Sequence, residues 1–196
     1  MEAPAAAHDD PAESPSRPTP SSLATSLAGS SSPSSTFSSS FELTVNSPDE
    51  MRELGRRLAR QLRAGDLVML TGELGAGKTT LTRGLGEGLG VRGAVTSPTF
   101  VIARVHPSLG DGPPLVHVDA YRLGGGLDDM EDLDLDVSLP ESVIVVEWGD
   151  GKVEELTDDR LHLLIHRAVG DTTDEVRHVT LTGVGERWAT VDLSAL

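Results

Sequence analysis

The sequence predicts an α/β fold: a three-layer sandwich around one sheet, partly parallel and partly antiparallel, with a disordered N-terminal tail. Three observations predict it. Residues 1–40 are dominated by Ser, Pro, Ala and Thr, and their few large apolar residues are Leu23, Leu27 and Phe37. After residue 40 the pattern runs strand, helix, strand, helix and then turns strand-rich, which places helices on a sheet of mixed direction. Between the second strand and the second helix lies a glycine-rich loop, in "LVMLTGELGAGKTTLTRGLGEGLG", residues 67–90.

Each element has a local reason. The tail buries too little apolar surface to offset its chain entropy. It reads either as a functional Ser/Pro segment open to phosphorylation or, as its composition favours, as a dispensable extension or the product of a misplaced start codon. Phe41, Leu43 and Val45 alternate as a strand does. Ser47, Pro48 and Glu50 have the spacing of an N-cap, a first helical proline and a capping box. Met51, Leu54, Leu58 and Leu62 continue one helical face, with Arg52, Arg56, Arg60 and Arg63 off it. Gly65 and Asp66 turn the chain into a strand over residues 67–71. Lys78 to Leu89 reads as a helix ended by Gly90. Gly84, Gly86 and Gly88 each weaken it by about 1 kcal/mol relative to alanine and suggest close packing on the sheet.

Residues 100–105, 115–118 and 143–146 are short aliphatic runs, expected as buried strands. "GDGPP" and "GGG" mark turns between them. "MEDLDLDV" has two readings: its apolar residues alternate, while its acids suit a short surface helix. "RLHLLIHR" and "EVRHVTLTG" form an expected antiparallel pair joined through "AVGDTTD".

Composition narrows the function. No run approaches the roughly 18 apolar residues that span a bilayer, no secretory signal opens the chain, and there is no cysteine. A cytoplasmic protein without disulfides or thiolate chemistry is expected. The net charge is −15, of which residues 1–40 carry −3 and the remainder −12. So acidic a body repels a phosphate backbone, so nucleic acid is not expected along a broad face.

"GELGAGKT", residues 72–79, matches G-x-x-x-x-G-K-[ST] between the expected strand and helix. Such a P-loop curls so that backbone N–H groups point at a β-phosphate, aided by the helix N-terminus. Gly72, Glu73, Leu74, Gly75, Ala76 and Gly77 form the cradle, and Thr80 follows it. Thr79 offers a hydroxyl to Mg²⁺. The chain has two lysines against fourteen arginines, and one stands at position 78. A compact point charge fits between two phosphates where arginine's planar fork does not. The fold class is therefore P-loop NTPase-like.

Asp119 follows "LVHV" and Glu147 follows "VIVV". Acids at strand ends are where an open α/β sheet places its nucleotide site. One would hold Mg²⁺ and the other orient the attacking water, in either assignment. "TSPTF", residues 96–100, is either a switch over the γ-phosphate or a proline-containing turn. His162 and His166 fall on the exposed face of a strand, a pattern that argues against a metal site. His117 shares a strand face with Asp119 and serves either packing or support.

"GELGAGKTTLTRG", "TSPTF", "HVDAYRL" and "VVEW", in this order and spacing, resemble the TsaE (YjeE) family of P-loop ATPases in bacterial tRNA threonylcarbamoyladenosine (t6A) synthesis. The likeness covers roughly residues 41–165 and, more weakly, the C-terminal strands. It implies that residues 72–80 hold ATP, with Lys78 on its β- and γ-phosphates and Thr79 on the metal. It also implies that Thr96, Ser97 and Thr99 belong to a switch-like loop, that Asp119 and Glu147 lie near Mg²⁺, and that Trp148 lies beside the nucleotide. Lys78, Asp119 and Glu147 are the implied catalytic residues, and Thr79, Asp119 and Glu147 the implied metal set. The family often continues E-W-P-E where this chain has Glu147, Trp148, Gly149 and Asp150, so no role for Asp150 carries over.

The resemblance implies a partner-dependent ATPase that is not itself the threonylcarbamoyl transferase. It would act between turnovers on the TsaB–TsaD heterodimer, on TsaD especially, and reach tRNA only through that complex. Three rival readings differ in their marks. A small-molecule or nucleotide kinase would carry a basic lid where this chain has "GLDDMEDLDLD". A GTPase would carry N-K-x-D, which is absent. A non-hydrolysing assembly subunit would share the same residues and differ only in turnover.

Overall fold

The computed structural model describes residues 38–123, 132–167 and 175–196, all within the unit Ser35–Leu196. Residues 1–37 of the expected tail, the "GGG" turn, the first two residues of "MEDLDLDV" and the "AVGDTTD" connection lie outside them. The described strands are β1 (Ser38–Val45), β2 (Leu67–Gly72), β3 (Ala103–His106), β4 (Leu115–Asp119), β5 (Val143–Glu147), β6 (Arg160–Arg167) and β7 (Arg177–Val184). They form one sheet in the order β1-β7-β6-β2-β5-β4-β3. The β6–β2, β2–β5 and β5–β4 pairs are parallel, and the β1–β7, β7–β6 and β3–β4 pairs are antiparallel. The mixed sheet is thus as the sequence predicts. β4 and β5 are buried along their whole length, as parallel strands covered on both faces must be.

One face of the sheet packs under two helices, α1 (Pro48–Ala59) and α2 (Lys78–Leu89). Val68, Leu70, Val145 and Leu163 meet Met51, Leu54, Leu58, Leu81 and Leu85 there. A short α4 (Glu186–Ala189) adds the fully buried Trp188 to the same core. Leu67, Met69, Val116, Val118, Ile144 and Val146 point the other way, under α3 (Leu135–Ser138) and 3₁₀ turns that supply Ala120 and Leu139. "MEDLDLDV" therefore resolves, over its described part, toward the short helix.

Three details correct the local reading. Ser47 Oγ accepts from Glu50 N (3.1 Å), but Glu50 Oε2 reaches back to Asn46 N (2.8 Å), one residue before the cap, so the box is wider than its usual form. Residues 100–105 do not make a buried strand. Only Ala103–His106 pairs, at the sheet edge, while Phe100, Val101 and Val105 are 83%, 56% and 60% exposed. The α2 glycines serve mainly a helix contact rather than the sheet. A Cβ on Gly84 would stand 2.0 Å from Arg52 O, one on Gly88 2.5 Å from Ala59 Cβ, and one on Gly55 2.3 Å from Leu81 O. Gly86 faces Val91, Val95 and Leu115. Small residues on both helices let the two backbones touch, and that close approach offsets the propensity lost.

Candidate active site

The glycine loop leaves β2 at the centre of the sheet. Gly72, Gly75 and Gly77 have φ of 153°, 77° and 114°, values other residues avoid. Gly77 starts α2 without a side-chain cap, and the first turn carries no acid. The positive end of α2 is therefore left without an anion of its own. Leu74, Gly75, Ala76, Gly77, Lys78, Thr79 and Thr80 line one side of an open cleft; Ser97, Thr99, Asp119, Glu147 and Trp148 line the other.

Lys78 is 4% exposed. Its Nζ donates to Gly72 O (2.6 Å) and Glu73 O (3.1 Å) and lies 3.9 Å from the Trp148 ring centroid. Burial pushes its pKa below the usual lysine value, opposed by the charges of Glu147 and Asp119. The cation is thus held on loop carbonyls, opposite two acids.

Asp119 and Glu147 end adjacent parallel strands and are direct register partners, each 3% exposed. Glu147 Oε1 accepts from Thr79 Oγ1 (3.0 Å) and from His117 Nε2 (2.9 Å). Asp119 Oδ1 accepts from Tyr121 N (3.1 Å), while its Oδ2 accepts from Thr99 Oγ1 and from Ser97 Oγ (3.5 Å). Sheet order thus joins the loop's Thr79 to one carboxylate and the "TSPTF" hydroxyls to the other. Thr96 lies outside this cleft and accepts from Arg104 Nη1 (3.1 Å). For His117, left open between packing and support, the hydrogen bond places it behind Glu147. With its Nε2–H committed there, its Nδ1 is buried without a hydrogen-bond partner.

Trp148 adopts φ +62°, a left-handed conformation that costs a non-glycine residue about 1–3 kcal/mol. Its N–H donates to Leu70 O (3.2 Å) and its ring lies 5.3 Å from that of Tyr121. Sequence reasoning gave Asp150, Thr71 and Lys152 no role. Here Thr71 Oγ1 donates to Asp150 Oδ2 (2.7 Å) and stands 2.8 Å from His162 Nε2, while Lys152 Nζ donates to Ala120 O (2.7 Å) and Leu123 O (3.2 Å). No sequence signal marks these contacts beyond the scarcity of lysine. Among the described residues no cluster of three or more His, Cys, Asp or Glu side chains is set to hold a metal. The candidate set is instead a hydroxyl and two carboxylates, which suits Mg²⁺ completed by phosphate oxygens and water.

Residues 45–176 match the family model described as "Threonylcarbamoyl adenosine biosynthesis protein TsaE". The chain belongs to the TsaE family. It is 88% identical over 146 residues to the tRNA threonylcarbamoyladenosine biosynthesis protein TsaE of Streptomyces coelicolor, covering 74% of this chain and 99% of that relative. The similarly named Bacillus subtilis protein is 42% identical over 147 residues, covering 74% and 86%. The Mycobacterium bovis protein is 45% identical over 130 residues, covering 63% and 77%. The crystal structure of Bacillus subtilis YdiB superposes with a TM-score of 0.60 at 35% identity, covering 78% of this chain and 90% of that one. Both parts of the cleft, residues 72–80 and the Asp119–Glu147 pair, lie inside the matched span. No helix among the described residues is long and apolar enough to cross a membrane.

Proposed function

We propose that the chain is a cytoplasmic ATP-binding and ATP-hydrolysing subunit of tRNA t6A formation, weak by itself and acting on a TsaB–TsaD heterodimer between turnovers. The observation that carries this reading is the register of Asp119 with Glu147, beside Thr79 and across from Lys78. Two buried carboxylates side by side call for a cation, and here they are met by hydroxyls, an imidazole and a backbone N–H. Bound Mg²⁺ and ATP supply the divalent charge and the phosphoanhydride bond that is cleaved.

The chain's residues divide the work. The backbone of residues 72–79 cradles the phosphates, and Lys78 exchanges its loop carbonyls for their oxygens. Thr79 and one of the two carboxylates would hold the metal, and the other carboxylate would orient the attacking water and take its proton. His117 fixes the orientation of Glu147. Ser97 and Thr99, which here donate to Asp119, would turn from it toward the terminal phosphate. The transfer to tRNA belongs to the heterodimer, so the acidic body need not touch RNA, and the relatives' names support the pathway.

The test is phosphate release by the wild-type chain alone and with purified heterodimer, beside calorimetry with ATP and Mg²⁺. We expect binding, slow release alone and faster release with the heterodimer. A rate indifferent to the heterodimer would point to a free-standing NTPase or kinase. Binding without release in either case would point to an assembly subunit.

A further inference from the structure

The strained Trp148 is followed by a segment anchored on both sides. Toward β2 and β6, Asp150 Oδ2 accepts the Thr71 hydroxyl at 2.7 Å. That hydroxyl has one proton, so the contact to His162 Nε2 at 2.8 Å has the imidazole donating to Thr71. Asp150 Oδ1 lies 3.4 Å from the same nitrogen. Toward the 3₁₀ turn after β4, Lys152 donates to the carbonyls of Ala120 and Leu123. Residues 148–152 thus form a strap across the C-terminal ends of β2, β5 and β4 that also reaches β6 at His162, and Gly151, with φ +70°, lets it turn. A left-handed tryptophan persists only when its surroundings over-determine it. Thr71 is also the residue before Gly72, whose carbonyl holds Lys78.

We propose that Asp150, acting through Thr71 and His162, is a positioning residue for the phosphate site: it fixes Trp148 over Lys78 and so sets the geometry from which the lysine engages a polyphosphate. Asp150 is half exposed and does not line the cleft, so it acts through Thr71 rather than on the ligand. The inference deepens the ATPase reading and rests on it for the identity of the ligand, but the strap itself is testable without nucleotide.

Two tryptophans occur in the chain, and Trp188 is fully buried, so acrylamide quenching reports Trp148. In the nucleotide-free full chain, Asp150→Ala should red-shift the emission and increase quenching. Thr71→Val should do the same, and the double variant should add nothing further. Asp150→Asn keeps an oxygen acceptor for the Thr71 hydroxyl and should behave as wild type. Calorimetry with ATP and Mg²⁺ should give Asp150→Ala an affinity weaker by about three- to tenfold, the effect of one hydrogen bond. Quenching unchanged in Asp150→Ala, or effects of Asp150→Ala and Thr71→Val that add, would overturn the proposal. If the wild type bound no ATP, the ATPase reading would fall while the quenching result still decided the strap.

Discussion

Residues 72–80 and the Asp119–Glu147 pair face each other across one cleft, but they are built differently. The first wall is continuous in sequence and made mostly of backbone: three glycines at positive φ, an uncapped helix start and one buried lysine. The second is assembled from two strands that adjoin only because of the sheet order, and its charges are held by side chains from elsewhere. The loop wall carries positive potential suited to an anion whatever its reaction. The carboxylate wall repels an anion unless a cation mediates, so under the proposed function its use would lie in chemistry at a metal and water. In the proposed ATPase, damage to the first wall should therefore appear as lost binding, and damage to the second as lost turnover.

The largest effect is expected at Lys78. Lys78→Ala removes the cation between the loop and the two acids, so ATP affinity should fall by on the order of a hundredfold and hydrolysis should vanish with it. Calorimetry and phosphate release measure the two losses. Hydrolysis at the wild-type rate would end the assignment of this wall.

Glu147→Gln sharpens the contrast. The amide keeps an oxygen for Thr79 and His117 but loses the charge. Hydrolysis should drop by about 10²–10⁴, the range for removing a general base, while binding stays within a few-fold of wild type. The reverse pattern, intact hydrolysis with lost binding, would merge the two walls into one.

A smaller effect tests what supports the loop wall. α2 carries that wall, and Gly84 seats it on α1. On propensity alone, Gly84→Ala would stabilise the helix by about 1 kcal/mol. Contact with the Arg52 carbonyl reverses the sign, because backbone cannot move aside cheaply. We expect a melting temperature lower by roughly 5 °C. A rise would show that the two helices are not locked at this point.

The same contrast explains what could be read from sequence. The loop wall was legible because its signal is local: apolar run, glycines, lysine, threonine, helix. The strand-end acids were legible as a pair, but their adjacency, and His117 behind Glu147, required the order β2-β5-β4. Residues 100–105 misled because an apolar run usually seeks a core, whereas Phe100 and Val101 lie exposed beside the cleft-lining Ser97 and Thr99. The glycines of α2 announced close packing but not its partner, since a missing side chain does not say what replaces it. The strap was invisible: Thr71 meets residues 79 and 91 positions away, and ordinary polar residues carry no mark of such contacts.

The smallest effect concerns acid, and it falls on β3, at the end away from Asp119. His106 on β3 is 4% exposed, its Nε2 has no hydrogen-bond partner, and it lies close enough to His117 for their charges to interact. Burial pushes its pKa below the usual 6.5; a backbone hydrogen bond with Arg92 opposes that shift, while His117 and Arg104 add to it. The unfolded chain therefore binds a proton at His106 that the folded chain resists. The resulting stability is fully present above pH 6.5 and declines as pH falls toward the depressed folded value, with a slope of at most about 1.4 kcal/mol per pH unit for one proton. Glu50, Glu87 and Glu154 have lowered pKa values, so they weaken the fold only as pH drops below about 4.5. The two windows separate. His106→Gln removes the titrating group, so chemical denaturation between pH 6.5 and 5 should show a flatter loss of stability in the variant than in the wild type. Equal slopes would mean that His106 accepts its proton in the fold as readily as in water.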